Sequence, residues 1–270
     1  DTFKVISDDY SAESGNLIIA SGGFTYPSTG SDGSGYKLAQ SLGHSIIKPV
    51  PSLTGIVAAQ QDYSSFISCA GISIDCELSL IRAGSRAGKY CGRLLFTHKG
   101  LSGPLIIDNS RDFSAGDELE LNLIGGLNRE QASKSFIEYC AAHGKSSIKG
   151  FFTAFRLPER LVSAVFIRSG STAAPSARAA DIMASDRKKL LNAFCLLTIG
   201  IRSPEGRNSA MCTAGGVETS EINPATMESR KLPGLYFAGE IIDVDGDSGG
   251  FNLQYAFSSA AAAAAAITKL

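Results

Sequence analysis

Two glycine-dense stretches, Gly22 to Gly43 and Gly234 to Gly250, lie near opposite ends of the 270-residue sequence. Glycine lets a backbone take positive φ and lets a ligand come close to the main chain. Two such stretches read as two loops brought together around one ligand. In the second, Asp243, Asp245 and Asp247 alternate as in a calcium loop, but no glutamate follows at the distance an EF-hand needs. That segment reads as an Asp/Gly turn, and no metal is predicted. His98 and Lys99, in Phe96-Thr97-His98-Lys99-Gly100, are candidates for proton transfer or substrate contact, since histidine titrates near neutral pH. The plainer reading of His98 is a hydrogen-bonded loop residue. Ser102, His98 and Asp108 have the types of a hydrolytic triad, yet no Gly-x-Ser-x-Gly elbow presents the serine.

The elements that must hold these residues follow from periodicity. Phe3–Ile6 and Leu17–Ala20 are short apolar runs, and the second ends in Ser21-Gly22-Gly23, as a buried strand running into a glycine turn. Tyr36, Leu38, Ala39 and Leu42, closed by Gly43, fit a short helix. Alternation at Ile72, Ile74, Cys76, Leu78 and Leu80, and again at Leu119, Leu121 and Leu123, predicts strands with one wet face. From Asn128 the period turns helical, with Asn128 and Gln131 placed as a capping box and Pro158 at the start of a further helix. Gly234–Glu240 reads as a short buried strand, and Phe251 opens a helix that runs into seven alanines, Ala260 to Ala266. Small alanines suit a helix pressed against a sheet. The pattern divides into an α/β domain, 1–47 with 204–270, interrupted by a β-rich, barrel-like insertion, 48–127, and a helical one, 128–203.

Composition bounds the function classes. Twenty-five basic against 26 acidic residues leave a net charge of −1, which offers no electrostatic case for nucleic acid or an anionic membrane. The alanine-rich C-terminal run is too short to span a bilayer, and no basic-then-apolar signal segment opens the sequence. Six scattered cysteines without a CxxC pair read as reduced thiols. A soluble, cytoplasmic protein is expected.

Several segments in order carry a resemblance. They are Leu17–Tyr36 (LIIASGGFTYPSTGSDGSGY), Leu95–Pro104 (LFTHKGLSGP), Thr213–Ser229 (TAGGVETSEINPATMES), Gly234–Glu240 (GLYFAGE) and Gly249–Gln254 (GGFNLQ). Together they resemble the BaiN-like, aminoacetone-oxidase-like family of bacterial NAD(P)/FAD-dependent flavoproteins. The resemblance implies a glutathione-reductase-type FAD domain interrupted by an insertion, and the function of a flavin-dependent oxidoreductase. FAD is the implied cofactor. The implied partners are a small-molecule substrate and either NAD(P)H or oxygen. By motif, Gly249, Gly250, Phe251, Asn252 and Leu253 would line the flavin edge. Gly239 and Glu240 would approach the ribityl chain, and Ala20, Ser21, Gly22 and Gly23 the dinucleotide. His98 and Lys99 would cover the flavin. The family opens with a strand, a Gly-x-Gly-x-x-Gly loop and a helix; here Gly30-x-x-Gly33-x-Gly35 has other spacings, so the sequence reads as the family's middle and C-terminal portion. The alternative is a non-catalytic fragment that keeps the fold without the cofactor and acts as an interaction module.

Overall fold

The computed structural model describes residues 2–268; positions 1, 269 and 270, at the ends of the predicted α/β domain, lie outside the described residues. The protein divides into two compact units, Asp1–Thr54 with Glu205–Leu270, and Gly55–Pro204. Each has its own apolar core.

The first unit begins with a hairpin of β1 (Phe3–Ile6) and β2 (Ser11–Ser14), then β3 (Leu17–Ile19), α1 (Ser34–Ser41) and β4 (Ile46–Ser52). The stretch 48–54, which the sequence pattern puts with the β-rich insertion, belongs to this unit because β4 finds its partner here, further along the chain.

The second unit runs from β5 (Ile56–Ala58) through α2 (Gln60–Tyr63), β6 (Ser73–Arg82), β7 (Ser85–Phe96), β8 (Gly100–Ser102), α3 (Pro104–Ile107) and β9 (Glu118–Asn122). Helices α4 (Arg129–Ala142), α5 (Lys149–Thr153), α6 (Glu159–Ser169) and α7 (Ala184–Cys195) follow, and β10 (Leu197–Pro204) completes it. Six strands close into a barrel in the order β10-β5-β8-β7-β6-β9. Ile74, Cys76, Leu78 and Leu80 of β6 alternate inward, and Leu119 and Leu121 of β9 are fully buried. The first and last strands are neighbours, with Pro204 opposite Ile56.

The helical part is built on aromatic rings. Phe152 stacks on Phe194 at a centroid distance of 3.8 Å, with Phe136, Phe151 and Phe166 around them. Helix α4 starts at the predicted box: the Asn128 side chain accepts from the Gln131 amide (2.9 Å), and the Gln131 side chain accepts from the Asn128 amide (3.0 Å).

The chain then returns to the first unit as β11 (Cys212–Val217), β12 (Leu235–Phe237) and α8 (Phe251–Thr268). β11 pairs antiparallel with β4, and β12 lies parallel to β3, Phe237 beside Ile19. Tyr236, Phe237, Val217 and Ile241 fill the core. The alanine run of α8 packs less than its composition predicts. Of the seven alanines only Ala263 is buried, joined by Ser259 one turn earlier, so the helix touches the unit along a narrow line. Among the described residues no helix is long and apolar enough to cross a membrane.

Candidate functional site

Because β3 and β12 are parallel and adjacent, their carboxyl ends open at the same edge, the edge at which open α/β sheets bind ligands. Beyond β3 the chain runs Ala20-Ser21-Gly22-Gly23, and beyond β12 it runs Ala238-Gly239-Glu240. The Ala238 amide donates to the Ile19 carbonyl (3.1 Å), so the two exits stay joined past the last strand residues. Gly239 takes φ 75°, a left-handed geometry, and its amide donates to the buried Ser259 hydroxyl of α8 (2.9 Å).

Thr213 of β11 ties these loops together. Its hydroxyl accepts from the Phe24 amide (3.1 Å) and the Thr25 amide (3.4 Å) and shares a proton with the Thr25 hydroxyl (3.1 Å). Its own amide donates to Oε1 of Glu240 at 2.5 Å. Among the described residues Oε2 of Glu240 accepts no hydrogen bond. Gly23 lies in this corner, where an added Cβ would run into the Thr213 hydroxyl and the Glu240 carboxyl carbon. Gly35, in α1, would likewise run into the Ser21 side chain and Ile241, so α1 can press against the β3 exit only without a side chain there. Tyr36, the next residue, is held protonated far above its ordinary range by burial and by the Glu240 carboxylate beside it.

Gly249 and Gly250 have φ 114° and 95° and lead into the first turn of α8. The amides of that turn have no acceptor within the helix. Phe251 and Leu253 are 64% and 69% exposed, which sets apolar surface beside those donors. Asn252, in the same turn, is tied back to the loop before it. Its side chain accepts from the Gly246 amide (2.8 Å) and donates to the Gly246 carbonyl (2.9 Å), and so pins the preceding loop instead of standing free. Ala20 and Ser21 also line a groove of about 1030 Å³ beside β3, with Val5, Ile18, Leu38 and Leu42.

His98 and Lys99 belong to the second unit, on the exposed turn between β7 and β8. The turn is anchored by Tyr63, whose hydroxyl donates to the carbonyls of Thr97 (2.9 Å) and Gly100 (2.5 Å). The structure thus brings Ala20, Ser21, Gly22, Gly23, Gly239 and Glu240 together within one unit and sets His98 and Lys99 in the other. Sequence reasoning missed Thr213, Thr25, Tyr36 and Ser259. Thr213 begins one of the resembling segments, which was its only signal; a buried serine in an alanine-rich helix gives none.

The family model described as the HI0933-like protein Rossmann domain matches residues 1–266. The chain belongs to this family. The likeness carried by Leu17–Tyr36 and the distant segments is to the same group of proteins. The HI0933-like chain is 33% identical over 249 residues to the "Ribosomal RNA dihydrouridine synthase" of Escherichia coli K12, covering 92% of the chain and 59% of that protein. It is 32% identical over 254 residues to the protein of the same description from Haemophilus influenzae, covering 94% of the chain and 60% of that protein. It is 28% identical over 266 residues to the "3-dehydro-bile acid delta(4,6)-reductase" of Clostridium scindens, covering 95% and 63%. The HI0933-like chain therefore spans about 60% of the length of the curated relatives it matches.

Proposed function

We propose that this chain is the larger part of a flavin-dependent reductase that adds two hydrogens across a carbon–carbon double bond of its substrate. The reading rests on the corner where two parallel strands end side by side in glycine turns fixed by Thr213 and Glu240. The relatives' names support the reaction class: making dihydrouridine from uridine, and reducing a delta(4,6) steroid, both saturate a carbon–carbon double bond. FAD is the cofactor in this reading, and when bound it supplies hydride chemistry, with NAD(P)H as the source of electrons. In this division of labour residues 1–54 and 205–270 form the flavin side, and 55–204 form the insertion.

The residues of the chain fit such a group by their chemistry. Glu240 Oε2 is an acceptor for a polyol hydroxyl. Gly22 presents bare backbone and Ser21 a hydroxyl to a dinucleotide, while buried Gly23 lets Thr213 and Glu240 close up beside them. The first turn of α8 offers N–H donors and a positive dipole end to an anionic ring edge. Phe251 and Leu253 exclude water beside it. Asn252 acts at one remove, by fixing Gly246 and hence the path of the Gly249-Gly250 turn. His98 is assigned to proton delivery and Lys99 to substrate contact.

The test is to titrate the purified chain with FAD and follow visible flavin absorbance and fluorescence. Saturable one-to-one binding, weakened by Gly23→Val, is the expected result. A chain that takes up no flavin, alone or joined to the remainder of its gene product, would overturn the reading.

A further inference from the structure

The net charge of −1 averages over two opposite populations. Between Asn128 and Pro204 the sequence carries 12 basic and 5 acidic residues, while the rest carries 13 basic and 21 acidic. The balanced total, read above as offering no case for nucleic acid, conceals a strongly positive helical part. Three of its five acids are already engaged. Glu159 meets Lys149 at 3.1 Å, Asp181 meets Arg178 at 2.8 Å, and buried Asp186 accepts from Ser171 and Thr172.

Three of the cations left over share one cleft. Arg129 of α4 and Arg187 and Lys188 of α7 line a single cleft of about 520 Å³, together with Ser133 and Glu130. Among the described residues none of these three cations is in an ion pair. Arg129 also borders the adjoining depression, where Arg86 and Lys89 of β7 stand. The acids in that depression are Glu77, which holds Lys89 at 3.1 Å, and Glu120.

We infer that this stripe, Lys188-Arg187-Arg129-Arg86, is a binding surface for the phosphate backbone of single-stranded or looped RNA. Arginine forks bind phosphate oxygens bidentately, and successive cations across two adjoining depressions match a chain of phosphates better than one small anion. The inference deepens the reductase reading, on which it rests for the chemistry: a uracil ring has a reducible double bond, and an unpaired one in a loop is open to an enzyme. The surface would hold the strand while the base is presented elsewhere.

The test is fluorescence anisotropy of a labelled oligouridine with the intact chain, between about 50 and 200 mM salt. The expected result for Arg129→Ala/Arg187→Ala/Lys188→Ala is a loss of affinity on the order of tenfold to a hundredfold, with the salt slope reduced by about two. Lys4→Ala/Lys37→Ala/Lys48→Ala, the same charge change in the other unit, should stay within about twofold, because phosphate contacts act locally. Arg129→Lys/Arg187→Lys, which keeps the charge, should keep the slope, and separates charge loss from misfolding. Equal losses in both triple variants, an unaffected cleft variant, or a wild-type chain that does not bind the oligouridine would each overturn the inference. The assay contains no flavin, so such a failure leaves the reductase reading standing, while RNA binding by a chain that never takes up flavin would remove that reading alone.

Discussion

The amide of Thr213 donates to Glu240 Oε1 at 2.5 Å, although 27 residues separate them. A strand of one hairpin-like pair thereby orients the carboxylate that follows the parallel strand β12. The Thr213 hydroxyl meanwhile holds Phe24 and Thr25, so a single residue fixes both loop exits. Replacing Thr213 by Val keeps the main-chain bond to Glu240 and leaves the part-buried Phe24 amide and the buried Thr25 amide without this acceptor. The cost is about 1–3 kcal/mol of stability. Thr213→Ser should restore most of it. Thermal melting of the three proteins checks this, and FAD affinity should fall in the same order.

Gly35→Ala tests the close approach of α1 to the β3 exit. The added methyl has to displace Ser21 or Ile241, and overpacking of this kind costs about 1–3 kcal/mol. Flavin binding should weaken with it, because Ser21 belongs to the proposed dinucleotide contact. An unchanged melting temperature would show that α1 can move away freely.

Glu221 predicts an acid-side signature. Burial by itself would raise its pKa, but bonds from Lys231 and Ser45 bring it down to about 2, against 4.5 for a free glutamate. A folded-state pKa below the unfolded one stabilises fully above about 4.5, and that stabilisation is lost as pH falls toward about 2. Glu221→Gln should therefore melt lower than the wild type at neutral pH. The two curves should converge between those values as the wild type loses its advantage. Parallel curves across that window would refute the assignment.

Phe152 lies at the centre of the ring cluster in the helical part. Phe152→Ala removes its stack on Phe194 and its contacts with Phe136 and Phe166, at a cost of about 3–5 kcal/mol. Denaturant unfolding followed by far-UV circular dichroism measures it. The first unit has its own core, so its flavin binding should survive.

Local structure was legible where the signal is local. Alternation in 72–80 marks β6, the Asn128/Gln131 spacing marks the start of α4, and the step from apolar run to glycine marks β3 and β12. The balanced charge is a sum over the whole sequence and hides the segregation between 128–204 and the rest. The boundary drawn between 47 and 48 cuts β4, because Ile46–Ser52 contains Lys48, Pro49 and Pro51 and shows little strand alternation; its partner β11 lies more than 150 residues away. The ties through Thr213, Ser259 and Asn252 join residues through hydrogen bonds that no period encodes. For Asn252, motif position gives the residue its place and not the direction of its side chain, which turns to Gly246.

The pairing of Pro204 with Ile56 has a consequence for ancestry and engineering. A barrel whose first and last strands are neighbours starts and stops at nearly one point, so the 150-residue unit can be exchanged like a cassette. A relative could gain, lose or replace it in one genetic event with little disturbance to the chain on either side. Selection could then act on the cassette separately from the unit whose sequence flanks it.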